Sequence, residues 1–121
     1  VTPDYGAAHN VIFDVSIPKE EAARIFVVGC NMGMDICYLQ NKYPYAQISG
    51  ATENWAEAAL AGKYLDVSYC PNLEQDIFTL LTGKYDYILL AEKDRQYLDF
   101  DKYISKLMNY LTPDGSINIS E

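Results

Sequence analysis

Apolar residues fall in two alternating patterns along this chain: short runs rich in β-branched and aromatic side chains, and longer stretches whose apolar positions recur every three or four residues. That rhythm predicts crossover units and a parallel sheet, because parallel neighbours need a helix-length connection across the sheet. Five strands are expected: Ile25 to Val28, Ala46 to Ala51, Asp66 to Tyr69, Tyr85 to Ala91 and Ser116 to Ser120. The first is a continuous apolar run ending at Gly29, as a central strand covered on both faces should be. Helical spacing joins Ile36, Leu39 and Tyr43; Trp55, Ala58 and Ala59; Leu73, Ile77, Leu80 and Leu81; and Ile104, Leu107, Met108 and Leu111. Asn72 with Gln75 three residues on predicts an amide-capped start for the third of these helices, and Gly83 its stop. Thr112-Pro113-Asp114-Gly115 predicts a turn feeding the last strand, and Tyr5 to Ile17 a helix over the sheet, ended by Ile17-Pro18.

Composition narrows the class. A chain of 121 residues, half of them apolar, supplies one core, so residues 1–121 are expected to be a single domain. Nine basic against seventeen acidic residues leave a formal charge of -8, which repels a phosphate backbone and argues against direct nucleic-acid binding. No apolar run approaches the roughly twenty residues of a bilayer-spanning helix, and the amino terminus has no basic-then-apolar signal pattern, so no membrane partner is expected. The three cysteines, Cys30, Cys37 and Cys70, include no CxxC pair, and one histidine is too few to complete a zinc site with them. No metal is expected, and the thiols read as reduced in a cytoplasmic protein. A first residue of Val1 and an end directly after an apolar alternation suggest a domain cut from something longer.

The chemically informative stretch is Arg24-Ile25-Phe26-Val27-Val28-Gly29-Cys30-Asn31-Met32-Gly33-Met34-Asp35. A buried strand that turns tightly into a helix is expected to bring bare backbone N–H groups to the carboxyl edge of the sheet, where ligands bind in open α/β folds. A dinucleotide-binding turn needs glycine at its first, third and sixth positions, and here these are Gly29, Asn31 and Met34. A P-loop would need Lys followed by Ser or Thr. Both patterns fail, and with them a nicotinamide-binding domain.

The stretch does resemble the first motif of class I S-adenosylmethionine-dependent methyltransferases. The resemblance runs through nearly the whole chain: Tyr43-Pro44-Tyr45-Ala46-Gln47-Ile48-Ser49-Gly50 is similar to the helix end, proline and second strand of that family. Tyr85-Asp86-Tyr87-Ile88-Leu89-Leu90 is similar to its fourth strand, and Leu111-Thr112-Pro113-Asp114-Gly115 to the turn before the fifth. Tyr5 to Pro18 resembles the lead-in helix of methyltransferase domains attached to bacterial glycosyltransferases. The resemblance implies a doubly wound, Rossmann-like parallel sheet in the order 3-2-1-4-5, truncated before the last two strands of the family. It also implies S-adenosylmethionine as cofactor, held by Gly29, Cys30, Asn31 and Gly33 at the first turn, Thr52 and Glu53 after the second strand, and Asn72 and Leu73 after the third.

Several positions depart from the family pattern. Val27 stands where the first motif has its acid, Asn31 replaces a glycine, Thr52 replaces the ribose-binding acid with Glu53 adjacent, and Asn72 replaces the aspartate that meets adenine. A hydrogen bond to a charged group contributes roughly 1.5–3 kcal/mol, so losing one ribose contact would weaken the cofactor about ten- to a hundredfold. Asn72 retains a carbonyl as acceptor, and Glu53, read as an exposed loop residue, could reach the ribose. After the fourth strand Glu92 is a candidate acid at the pocket edge, whereas Gln96 occupies the place of a histidine and cannot act as a base at neutral pH. His9, in the lead-in segment, is the other catalytic candidate. Trp55 suits either an adenine wall or packing on the sheet, and Tyr43, Tyr85, Tyr87, Tyr103 and Tyr110 suit core and rim packing.

Together these readings imply methyl transfer from S-adenosylmethionine to a small molecule or glycan precursor. The alternative is a degenerate, non-catalytic methyltransferase-like module that keeps the fold for packing or partner binding within a larger protein, such as a glycosyltransferase. The fifth strand, read as Ser116 to Ser120, has neither proline nor charge before Glu121 and is expected to be an open edge through which two copies pair.

Overall fold

The computed structural model describes residues 21–30, 34–90 and 96–119. Its elements are β1 (Arg24–Val28), α1 (Met34–Lys42), β2 (Gln47–Thr52), α2 (Trp55–Ala61), β3 (Val67–Tyr69), β4 (Tyr85–Leu90), α3 (Phe100–Met108) and β5 (Leu111–Ile119), with a short 3-10 helix at Ile77–Thr79 between β3 and β4. All pairings are parallel, and the sheet order is β3-β2-β1-β4-β5. The expected α/β architecture and strand order are what the chain adopts. The lead-in helix expected over Tyr5 to Ile17 lies outside the described residues.

Alternation along β1 splits the core in two. Ile25 and Val27 pack with Ile36, Leu39 and Tyr43, which bring α1 onto one face, together with Ala61 of α2. Phe26 and Val28 pack on the other face with Leu73, Ile77 and Leu81 and with Tyr103 and Leu107 of α3. Both faces of β1 are thus dry, as its unbroken apolar run requires. The connections change faces between β1 and β4, so the carboxyl ends of those strands border a topological switch point, the place where open α/β sheets offer a crevice.

Gly50 sets how closely α1 lies on the sheet. A Cβ there would stand 2.6 Å from the Ile36 Cδ1, 2.9 Å from the Val27 carbonyl oxygen and 3.2 Å from the Cys30 Cβ. Only a hydrogen fits between β2, the first turn of α1 and the chain leaving β1.

The expected helix over Leu73 to Leu81 is a turn followed by the 3-10 helix. Its apolar stripe is used as anticipated, with Leu73, Ile77 and Leu81 all buried. Local side chains nevertheless compete with regular α-helical bonding: Asn72 Oδ1 takes the N–H groups of both Glu74 and Gln75, and the Thr79 hydroxyl donates to the Asp76 carbonyl at 2.7 Å. In α2 the buried positions are Ala58 and Ala61, while Trp55 is 69% exposed, so Trp55 does not pack on the sheet. Asn54 caps this helix by accepting the Glu57 N–H, which turns Trp55 outward at the first helical position.

The Thr112-to-Gly115 segment is not a turn ahead of β5 but a bulge within it. Tyr85 pairs with Leu111 and Tyr87 with Ser116, so residues 112–115 stand opposite Asp86 alone. The Asp86 carboxylate holds the bulge by accepting the Thr112 hydroxyl at 3.2 Å and the Arg24 N–H at 2.8 Å. β5 therefore carries Pro113, an exposed Asp114 and a bulge in its first half, all of which discourage pairing with another chain. The edge expected from the sequence, Ser116 to Ser120, is the second half of this strand over its described residues Ser116–Ile119.

Replacing Gly50 with alanine is expected to destabilise the protein by about 1–3 kcal/mol, because the overlap includes backbone as well as the Ile36 side chain. Denaturant unfolding followed by circular dichroism checks this; an unchanged midpoint would mean that α1 does not pack against β2 as described.

Candidate functional site

The carboxyl ends of β1, β2 and β3 are tied into one edge by backbone bonds. Gly29 takes a φ of 79°, a region that side-chain-bearing residues rarely enter, and this bends the chain off β1. The bend points two consecutive N–H groups at one oxygen: Gly29 N and Cys30 N both donate to the Ala51 carbonyl, at 2.8 and 3.1 Å. These groups are therefore not bare, as the sequence pattern suggested. At these two residues the bend is fastened to β2. One residue on, the Thr52 carbonyl accepts the Cys70 N–H at 2.8 Å and carries the edge across to β3.

Thr52 and Glu53, the two candidates after β2, have different surroundings. Thr52 is 1% exposed, and its hydroxyl donates to Glu57 Oε2 at 3.2 Å while accepting the Asn54 N–H at 3.1 Å. Its polar atom is thereby committed to starting α2. Glu53 is half-buried rather than exposed, and its Oε2 accepts the Leu73 N–H at 3.0 Å, twenty residues away in sequence. The structure thus bonds Glu53 to Leu73, with Asn72 adjoining, where the chain leaves β2 and β3, on the same carboxyl edge of the sheet as the Gly29 turn.

Asn72 uses its carbonyl locally. Its Oδ1 already accepts the N–H groups of Glu74 and Gln75 at 2.9 and 3.1 Å, which uses both lone pairs of the carbonyl. The Asn72 carbonyl is thus engaged within its own segment of the chain. Cys30 and Cys70 are buried beneath the edge, and the Cys70 thiol donates to the Asn72 carbonyl at 3.4 Å. Asn31 and Gly33 of the turn, and the catalytic candidates His9 and Glu92, lie outside the described residues. Among the described residues, no group of three or more His, Cys, Asp or Glu is arranged to hold a metal, and no helix is long and apolar enough to cross a membrane.

Two participants were passed over in the sequence. Glu57, which receives the Thr52 hydroxyl, was signalled by the Asn54-x-x-Glu57 spacing of a capping box. Glu74 accepts the N–H groups of Leu98 and Asp99 at 2.8 and 3.0 Å, joining the Asn72 segment to the start of α3. Nothing in its sequence neighbourhood distinguishes it from a solvated charge.

No family model matches the chain. It is 25% identical over 129 residues to the uncharacterized protein RP028 of Rickettsia prowazekii (strain Madrid E), a match covering 98% of this chain and 50% of that one. It is 28% identical over 106 residues to the trans-aconitate 2-methyltransferase of Deinococcus radiodurans, covering 85% of this chain and 39% of that one. The chain thus spans half or less of the length of these relatives. Among solved structures, coclaurine N-methyltransferase bound to N-methylheliamine and SAH (S-adenosylhomocysteine) superposes with a TM-score of 0.66 at 18% identity, over 83% of this chain and 31% of that one. The fold is that of the Rossmann-like methyltransferases. Such a likeness concerns the sheet and its crossovers, while the assignment of particular side chains rests on their geometry here.

Because half-buried Glu53 satisfies a backbone N–H with its carboxylate, Glu53→Ala is expected to lower stability by about 1–3 kcal/mol, the cost of leaving that donor unpaired. Glu53→Gln, which keeps an acceptor, should lie between parent and alanine variant. Thermal unfolding of the three proteins checks this; equal midpoints for parent and Glu53→Ala would place the carboxylate in solvent.

Proposed function

We propose that this edge binds S-adenosylmethionine and that the chain carries the cofactor-binding part of a methyltransferase acting on a small molecule or glycan precursor. The observation that carries the reading is the Ala51 link: the residue whose carbonyl fixes the Gly29 turn lies two positions before Glu53, so a shaped turn and a half-buried carboxylate share one strand end. A vicinal diol is a suitable partner for that carboxylate, because an ionised carboxylate accepts charge-assisted hydrogen bonds from hydroxyl groups. The Deinococcus relative is by name a methyltransferase and the coclaurine enzyme is bound to SAH, which supports the same use of the same edge. The resemblance of Tyr5 to Pro18 to glycosyltransferase-attached domains supports the glycan-precursor class.

On this reading the ribose contact belongs to Glu53, since the Thr52 hydroxyl is committed elsewhere. Asn72 borders the base, as the resemblance implies, and the Gly29 turn contributes its shape. When bound, the cofactor supplies an electrophilic methyl group on a sulfonium sulfur. What the protein adds is orientation, since methyl transfer needs in-line placement of the acceptor above all. Gln96 has no basic nitrogen with which to remove an acceptor proton.

A second reading, a non-catalytic module retaining the fold for packing or partner binding, is favoured by one observation. Glu53 already has a structural task in bonding Leu73, and a carboxylate can be kept for that alone.

Calorimetric titration with S-adenosylhomocysteine separates the two. Binding is expected in the parent, about tenfold weaker in Glu53→Gln, whose amide loses the charge-assisted bonds, and absent in Gly29→Val, which cannot hold the positive φ. No heat at millimolar ligand supports the non-catalytic module. Equal binding by a folded Gly29→Val would place the site elsewhere.

A further inference from the structure

Residues 72 to 74 touch three parts of the molecule at once. Asn72 holds the Glu74 N–H, and the Leu73 N–H lies on Glu53 at 3.0 Å. The Leu73 carbonyl accepts the buried Tyr103 hydroxyl of α3 at 2.8 Å. The Glu74 carboxylate then reaches the connection ahead of α3, with Oε1 on the Leu98 N–H at 2.8 Å and Oε2 on the Asp99 N–H at 3.0 Å. Two adjacent backbone donors on the two oxygens of one carboxylate form a charge-assisted fork, stronger and more directional than a single neutral bond. Asp99 is in turn the N-cap of α3, accepting the Lys102 N–H at 3.1 Å. The Leu98 and Asp99 side chains are themselves exposed, so their backbone is ordered by hydrogen bonds, this fork and the cap of α3, rather than by their own burial.

A ligand that engages Glu53 while its bond to Leu73 stays in place acts on a peptide whose next residue grips the start of α3. We infer that Glu74 is a positioning residue that couples occupancy of the site at Glu53 and Asn72 to the ordering of the segment entering α3, on the side of the sheet where the fourth crossover begins. The inference rests on the cofactor reading for the identity of the ligand, but the fork itself does not. Filling that site pins residues 72 to 74, the Glu74 fork tightens, and the α3 entry becomes more rigid at a distance from the ligand. Reciprocally, anything that orders Leu98 and Asp99 favours the filled site.

Site-resolved amide hydrogen exchange on the parent, Glu74→Ala and Glu74→Gln, each with and without S-adenosylhomocysteine, tests this. Without ligand, the Leu98 and Asp99 amides are expected to exchange about tenfold or more faster in Glu74→Ala. Glu74→Gln, whose one carbonyl can hold one donor, should fall between, and unchanged protection of buried Leu107 shows that α3 remains folded. With ligand, the parent should slow at Leu98 and Asp99 as well as at Leu73, whereas Glu74→Ala should slow at Leu73 only. Equal ligand-free exchange at Leu98 and Asp99 in parent and Glu74→Ala overturns the fork whatever the ligand does. Ligand protection at Leu73 with none at Leu98 and Asp99 in the parent overturns the coupling while leaving the cofactor reading intact. Absence of any ligand effect overturns the coupling and the cofactor reading together, with the fork still decided by the ligand-free comparison.

Discussion

The Ala51 carbonyl is the point on which the candidate site depends. A parallel sheet leaves the ends of its strands without ladder partners, and here one such oxygen collects both N–H groups of the chain as it bends away at Gly29. That pair of bonds needs the positive φ of Gly29 to aim the donors and the hydrogen of Gly50 to let β1, β2 and α1 meet closely. Once the bend is fixed there, Thr52 is carried into the start of α2 and Glu53 is left facing the segment after β3. The polar edge then follows from a backbone arrangement, with side chains added at its end.

Much of the fold was legible because burial on both faces writes itself into sequence. Ile25 to Val28 reads as a central strand and is one, and the Leu73, Ile77 and Leu81 stripe faces the core as its spacing demanded. What misled was the assumption that an apolar stripe at helical spacing must be carried on an α-helix. Asn72 and Thr79 offer the backbone local bonds of their own, and the same stripe is delivered by a turn and a 3-10 segment. The bulge in β5 escaped for a related reason. Thr112 to Gly115 has the composition of a turn, but the Asp86 carboxylate, remote in sequence, folds it back into the ladder.

The site was legible in its positions and less so in its bonds. Glu53 and Leu73, both singled out in the sequence, are bonded to each other, yet which polar atoms at this edge are committed could not be read from residue types. Thr52 and Glu53 are neighbours of similar promise in sequence. Only the structure shows the hydroxyl spent on Glu57 and Asn54 and the carboxylate bridging to Leu73. Glu74 is the extreme case, since its partners Leu98 and Asp99 are backbone groups, and backbone donors leave no mark on composition.

These bonds make residues 72 to 74 a junction between the end of β2 and the start of α3. The most direct test of the account is to locate where S-adenosylhomocysteine acts, by titrating it into isotopically labelled protein and following the amide resonances. The account predicts that the largest shifts fall on Gly29, Cys30, Glu53 and Leu73, at the carboxyl edge. Shifts concentrated instead at Arg24, Gln47 and Asp66, which line the cleft at the opposite end of the strands, would contradict it.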